Sequence, residues 1–402
     1  MRFGLLIALF FPLFVFSQRN IEGKVLGADD RKPLIFANVF ISNSTKSQQT
    51  DDKGNFKLMN VPAGVLDLVV SYVGYEKLSI RIKADTLRKP LLIFLSPDAV
   101  ALQGVTIKRL RLGFEKYGQL FLDNFMGRTE FSKSCFLKNP KALWFSLNED
   151  ESELTIRADE PLIIENDALG YIIKYDLVEF KYNFSQGYVS YYGYPLFEEI
   201  VTKNEKKQHK WLVNRQKAYY GSPQHFFKST INHEWERMGY SVYTMYKEEK
   251  RFFMVPVIPE IKDSLGNVIQ RASKQKKEID STEIIMSANP WMHKLYTPRQ
   301  SPYVKYLHRL PLDENCIIEV KDHIPYLNFE RQIYVFYDGE CEEPQFAEYG
   351  KKDIPQNSII TLLEPHIPID PSGYLADPLA VLFEGRWGYE KMGEFLPIDY
   401  QP

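Results

Sequence analysis

The chain has 402 residues, of which 44% are hydrophobic and 25% charged, with a formal net charge of −2. This is globular composition, so a disordered chain is excluded, and the balance leaves no global field to gather nucleic acid. The length suits two or three domains, and 25 Tyr with 27 Phe favour strands over helices.

The first element reads as an export signal. Met1-Arg2 carries one positive charge, and residues 3–16, FGLLIALFFPLFVF, are almost wholly apolar. That run is short for the roughly 30 Å of a bilayer core. Val15 and Ser17 fit the small-residue pattern before a cleavage point, so 1–17 reads as a signal peptide and Gln18 as the mature N-terminus. An exported chain can form disulfides, and a Cys316–Cys341 bridge is open, but Cys135, Cys316 and Cys341 are too few and too far apart for a disulfide framework. Buried free thiols are the expected state. No C-x-x-C or Cys/His cluster calls for structural zinc.

Residues 19–97 read as short strands divided by turn chemistry: IEGKVLG, FANVFIS, FKLMNV, LDLVVSYVGY, KLSIRIK and LLIFLS. About seven strands in this span have the cadence of a small β-sandwich. Between two of them lies TDDKGNF, residues 50–56, where Asp51 can bond amides two residues on and Gly54 suits a tight hairpin. A calcium loop would need glycine at the sixth position and glutamate at the twelfth. Here Gly54 follows Asp51 by three positions and Pro62 stands twelfth, so the spacing rejects calcium.

The set Gly23 with Val25, Pro33-Leu34 ahead of Ala37-Asn38-Val39, the hairpin Thr50, Asp51, Gly54, Phe56, and Gly74-Tyr75 resembles the carboxypeptidase-regulatory-like domain. The resemblance implies a seven-stranded transthyretin-like sandwich without catalytic residues. Such domains precede many outer-membrane proteins of Gram-negative bacteria, including receptors that depend on TonB. No plug or serial barrel strands follow here, so an integral barrel is not expected.

After a linker at 98–110, residues 111–402 read as a β-rich α+β region with a change of character near 252–282 that allows two subdomains. Leu110, Phe114, Tyr117, Phe121 and Phe125 predict a helix stopped by Gly127, and strands follow at KALWFSL, SELTIRA, PLIIEN, GYIIKYDLVEFKYNF and YVSYYGYPLFEEI. A second helix is predicted from Ser222-Pro223 to Gly239, with Phe227, Ile231, Trp235 and Met238 as its apolar stripe. The basic run Arg271–Lys277 reads as an exposed loop. Strands return at CIIEV, RQIYVFYDG and SIITLLE, then DPSG marks a turn and GYEKMGEF a short helix. The fold expected is therefore mostly β with α insertions, an N-terminal seven-stranded sandwich ahead of a larger β-rich α+β domain. This larger region also resembles the body of uncharacterised bacterial envelope proteins with the same N-terminal sandwich, a resemblance that brings no assigned activity.

Catalytic patterns are sparse. His233 and Glu236 form H-x-x-E, the ligand pair of funnel-type metallocarboxypeptidases, and three positions apart on a helix they would share a face. The apolar stripe accounts for that helix without a metal, and His293, His308 and His323 stand in no second motif. Glu198-Glu199 and Glu342-Glu343 read as solvated faces. Nothing calls for a cofactor. The leading expectation is a non-enzymatic envelope protein at the periplasmic or outer-membrane face, partnered by other envelope proteins. The alternatives are a metal-dependent hydrolase using His233 and Glu236, and a glycan binder using Tyr191 and Tyr192 in the Tyr188–Tyr194 stretch.

Overall fold

The structure is a computed structural model that describes residues 19–98, 110, 113–256, 260–262, 268–270, 276–280, 285–286, 288–295, 301–321, 324–346, 353–375 and 377–402. The leader expected at 1–17, most of the linker and Arg271–Gln275 of the basic run lie outside these residues. The chain divides into two compact units, Met1–Thr106 and Ile107–Pro402.

In the first unit the strands are β1 (Arg19–Gly27), β2 (Asn38–Ile41), β3 (Ser47–Gln49), β4 (Asn55–Val61), β5 (Val65–Ser71), β6 (Leu78–Lys83) and β7 (Leu91–Leu95). They form two sheets, β4-β1-β7 and β3-β2-β5-β6, the transthyretin-like sandwich expected. β1 runs parallel to β7 and antiparallel to β4. Period-2 alternation sends Ile21 and Val25 of β1, Phe56 and Leu58 of β4, and Ile93 and Leu95 of β7 into the core, all 4% exposed or less. Each such side chain contributes about 1.5–3 kcal/mol by leaving water.

The second unit opens with α1 (Gly113–Phe125), whose Tyr117, Phe121 and Phe125 are buried at helical spacing. Phe121 stacks on Phe125, and the edges of these rings meet Phe180 and Tyr175 of the sheet beneath. Gly127, at φ +95°, ends the helix where a side chain would strain. That sheet contains β8 (Cys135–Leu137), β9 (Leu143–Leu147), β10 (Glu153–Ala158), β11 (Leu162–Asn166), β12 (Tyr171–Asn183) and β13 (Tyr188–Glu199). β12 is its spine: β11 and β10 share one of its edges, and β13 runs along the whole of the other.

Two helices follow, α2 (Glu205–Tyr219) and α3 (Pro223–Ile231). The second large sheet has the order β19-β20-β14-β23-β24-β26, formed by β14 (Tyr240–Glu249), β19 (Met292–Lys294), β20 (Tyr303–His308), β23 (Gln332–Cys341), β24 (Pro355–Leu362) and β26 (Val381–Gly385). Small ladders accompany it: β15 (Phe252–Pro256) with β18 (Lys276–Asp280), β16 (Glu260–Lys262) with β17 (Val268–Gln270), and β21 (Ile318–Lys321), β22 (Ile324–Leu327) and β25 (Ile367–Pro368). The end of the basic run, Lys276-Lys277, is thus strand and not loop. The short helix expected at GYEKMGEF is a single turn placed earlier, α4 (Arg386–Tyr389).

Three expectations need correction. α3 stops at Ile231 because Asn232 is its C-cap and His233 takes φ +55°. Trp235 still reaches the core, 0% exposed, by a turn whose N–H donates to Glu314 Oε1 at 2.8 Å. The cysteines are free, but Cys316 and Cys341 are exposed and only Cys135 is half-buried. Glu342 is no solvated face, since its side chain is 5% exposed. Among the described residues no helix is long and apolar enough to cross a membrane.

Candidate functional site

In the first unit, each residue of the signature hairpin is spent on the fold. Thr50, 1% exposed, accepts the Ala37 N–H at 2.8 Å and donates to the Leu34 carbonyl at 2.5 Å, tying the hairpin to the Pro33–Ala37 turn. Asp51 Oδ1 accepts the amides of Asn55 and Lys53 at 2.7 and 2.9 Å, and Oδ2 accepts the Asn55 side-chain amide. The Asn55 amide, first among these donors, holds the Asp51 carboxyl below the usual aspartate range. Gly54 stands at φ +77°, and a Cβ there would sit 2.6 Å from the Val25 carbonyl oxygen. Phe56 lies against Gly23, where a Cβ would come within 2.7 Å of its ring. Both Asp51 oxygens are thus turned inward on the hairpin's own donors.

His233 and Glu236 are not brought together by a helix. His233 sits in the left-handed turn after α3, its Nδ1 3.7 Å from Glu314 Oε2, and Glu236 belongs to the following turn, its carbonyl accepting the Gly239 N–H. The tyrosine strand β13 splits its candidates between faces. Tyr191 packs on Phe125 and Phe180, whereas Tyr192 is 39% exposed and Tyr188 40%. Its two glutamates are paired, Glu198 with Lys174 at 2.6 Å and Glu199 with Arg215 at 3.0 Å.

The polar centre of the second unit lies elsewhere, around Arg386 at the start of α4. Its guanidinium donates from Nε to Glu390 at 2.9 Å and from Nη1 to Glu343 at 2.9 Å, with Glu342 at 3.6 Å and Glu394 at 4.0 Å. Arg386, Glu342, Glu390 and Glu394 have side chains 9% exposed or less. One buried cation therefore faces four carboxylates, and four like charges cannot all be ionised in so dry a place. Burial, then the Glu394 charge, pushes Glu390 up to about 8 against the pull of Arg386, and burial raises Glu394 to about 7. Glu340, bonded by Gln356 at 3.1 Å, is also raised, again chiefly by burial. The chemistry available here is proton holding.

This cluster clasps distant segments. The Met392 and Gly393 amides donate to Phe125 and Met126 at the end of α1, and Asn166 donates to the Gly393 carbonyl. Cys135, on β8, has its thiol pushed up to about 12 by burial and by the Glu394 charge, so it is an inert thiol. Next to Arg386, the Trp387 indole donates to the Gly221 carbonyl at 2.7 Å.

Gly221 leads to a buried imidazole. His225, 5% exposed, accepts the Gly221 N–H on Nδ1 at 3.3 Å, which leaves its proton on Nε2, and the Tyr240 hydroxyl lies 2.9 Å from the same Nδ1. The rings of Tyr219, Tyr220 and Tyr240 pack around it at 5.1–5.3 Å. Burial, then the Lys228 charge, lowers it to about 4. A neutral imidazole so weakly basic is a poor general base near pH 7.

α2, absent from the sequence reading, docks through polar groups. Trp211 Nε1, Asn214 Nδ2 and Arg215 Nε donate to the carbonyls of Asp167, Ala168 and Leu169, and Arg215 Nη2 to that of Gly170, at 2.7–3.2 Å. Arg215 also lies over the Tyr171 ring at 4.0 Å. Gly170, at φ +73°, allows the contact, since a Cβ there would lie 2.3 Å from the Trp211 ring. The signal was present: Asn204 as N-cap, Glu205 in the first turn, and 211, 215, 218 and 219 on one face.

Fold and site together define a two-unit β-rich protein with an N-terminal transthyretin-like module. Residues 21–107 match the CarboxypepD_reg-like domain family. No curated protein matches the chain. Among solved structures, a 9R-lipoxygenase from Cyanothece PCC8801 aligns at 10% identity over 55% of this chain and 48% of its own, with a TM-score of 0.15. A variant of the major pilin subunit of Bacillus cereus aligns at 8% identity over 95% of this chain and 86% of its own, also at 0.15. The chain spans about half the length of the lipoxygenase. At such scores neither alignment bears on fold or function.

Proposed function

We propose that this is an exported, non-enzymatic envelope protein, in which the CarboxypepD_reg-like module is an accessory to a binding or assembly body at the periplasmic or outer-membrane face. The observation that carries the reading is the use of the module's signature residues. Thr50, Asp51, Gly54 and Phe56 are consumed by turn hydrogen bonds, a left-handed backbone and core packing, which supports an accessory role. The apolar run at 3–16 supports export.

Two measurements on protein made in a Gram-negative host test this. The N-terminal sequence of the processed chain is expected to begin at Gln18. Metal analysis is expected to find zinc far below one per chain, with His233→Ala leaving the unfolding midpoint in place. Stoichiometric zinc, lost in His233→Ala together with a peptide-hydrolysing activity, would replace this reading by the metal-dependent hydrolase.

A further inference from the structure

The outer face of α2 carries a straight basic ridge. Lys203, just ahead of the helix, then Lys206, Lys210, Val213 and Lys217 recur at alternating steps of three and four, the spacing of one helical stripe, and all five are exposed. Lys206 to Lys217 covers three turns, about 16 Å. None of these four lysines is ion-paired with a described carboxylate. Their neighbour Lys207, turned inward, is paired with Asp167 at 2.6 Å and lies over the Trp211 ring. One exposed apolar side chain lies within the ridge, Val213 at 37%, with Val201 at 95% upstream of the helix; Leu212, 56% exposed, lies about 130° around the helix from the stripe. Glu205 is the acid in the first turn.

We propose that this face of α2 docks on an anionic lipid surface. The inference rests on the reading that the protein works at a membrane face, and it names the surface by which it would do so. Ammonium groups in no ion pair with a described carboxylate suit lipid phosphates, though the Lys217 charge also acts on Glu340, and their alkyl stems reach along apolar surface. Val213 among them suits the boundary where phosphates meet acyl chains. A polyanion with no apolar layer would leave that side chain in water. The inner face of the helix is fixed by Trp211, Asn214 and Arg215, so the ridge is presented on a rigid support.

The test is sedimentation of the full mature chain with vesicles of phosphatidylglycerol and phosphatidylcholine, against vesicles of phosphatidylcholine alone. Binding is expected only to the anionic vesicles, and is expected to fade as salt rises to about 0.5 M. Replacing Lys203, Lys206, Lys210 and Lys217 with Gln should weaken partitioning roughly tenfold or more. The same charge change at Lys53, Lys89, Lys141 and Lys294, also exposed, should leave most of the binding intact. Equal binding to both vesicle types, or equal losses in the two variants, would overturn the proposal. So would binding to duplex DNA as tight as to the anionic vesicles at the same salt. The N-terminus of the same preparation reports on export separately, so a chain processed at Gln18 that ignores anionic vesicles rejects the docking surface alone.

Discussion

The hairpin at 50–56 and the Arg386 cluster both concentrate carboxylates, and they treat them in opposite ways. Asp51 stands at the surface, with its donors within four residues, and its charged form is favoured. Glu390 and Glu394 are buried around one guanidinium, and their neutral forms are favoured. The first arrangement closes a turn, whereas the second fastens a C-terminal segment to α1 and to the end of β23. Acidic composition therefore says little until the origin of the donors is known.

The comparison can be broken most severely at Arg386. Arg386→Met removes the one cation from four carboxylates, and breaking a buried pair in this way costs about 3–5 kcal/mol. Chemical denaturation of the second unit, followed by tryptophan fluorescence, should show that loss. At the other pole, Gly54→Val forces a branched residue into φ +77° and sets its Cβ against the Val25 carbonyl. Strain alone costs about 1–3 kcal/mol, to be read as faster amide exchange in β1 and β4. Thr50→Val leaves the Ala37 N–H and Leu34 carbonyl without their partner at a buried site, costing about 1–3 kcal/mol by the same measurement. The smallest effect is expected at His233, whose ring is half exposed and only 3.7 Å from Glu314. His233→Gly suits φ +55° and should shift stability by no more than about 0.5 kcal/mol in urea titrations.

The two regions also differ in how far the sequence discloses them. The hairpin is legible because Asp51, Gly54 and Phe56 act within a few residues, and the sandwich follows from strand alternation. The first helix is legible through Tyr117, Phe121 and Phe125. Periodicity misleads at Trp235 and Met238, which keep helical spacing although the chain has already turned at His233. α2 is obscured because its buried face includes Arg215, a charge satisfied by carbonyls some 45 positions upstream. The Arg386 cluster draws on residues 340–343 and 386–394, and only the i, i+4, i+8 spacing of Arg386, Glu390 and Glu394 is local. The burial that makes Glu342 part of it is supplied by the fold. Thr50, Asp51, Gly54 and Phe56 stand within seven residues of one hairpin, whereas the polar centre of the larger unit is assembled from segments far apart in sequence.

The pH dependence of unfolding tests the proton-holding cluster most directly. The folded-state values of Glu390 and Glu394, raised from 4.5 to about 8 and about 7, lie above those of the unfolded chain. The folded form therefore binds more protons across this window. Stability from this source is fully present below pH 4.5 and is lost as pH rises through 7 and 8. Thermal midpoints taken from about pH 5 to about pH 9 should fall by several degrees in the native chain and stay nearly level in Glu390→Gln/Glu394→Gln. A native midpoint that holds steady or rises across that range, or a double variant that falls in parallel, would contradict a cluster that holds protons.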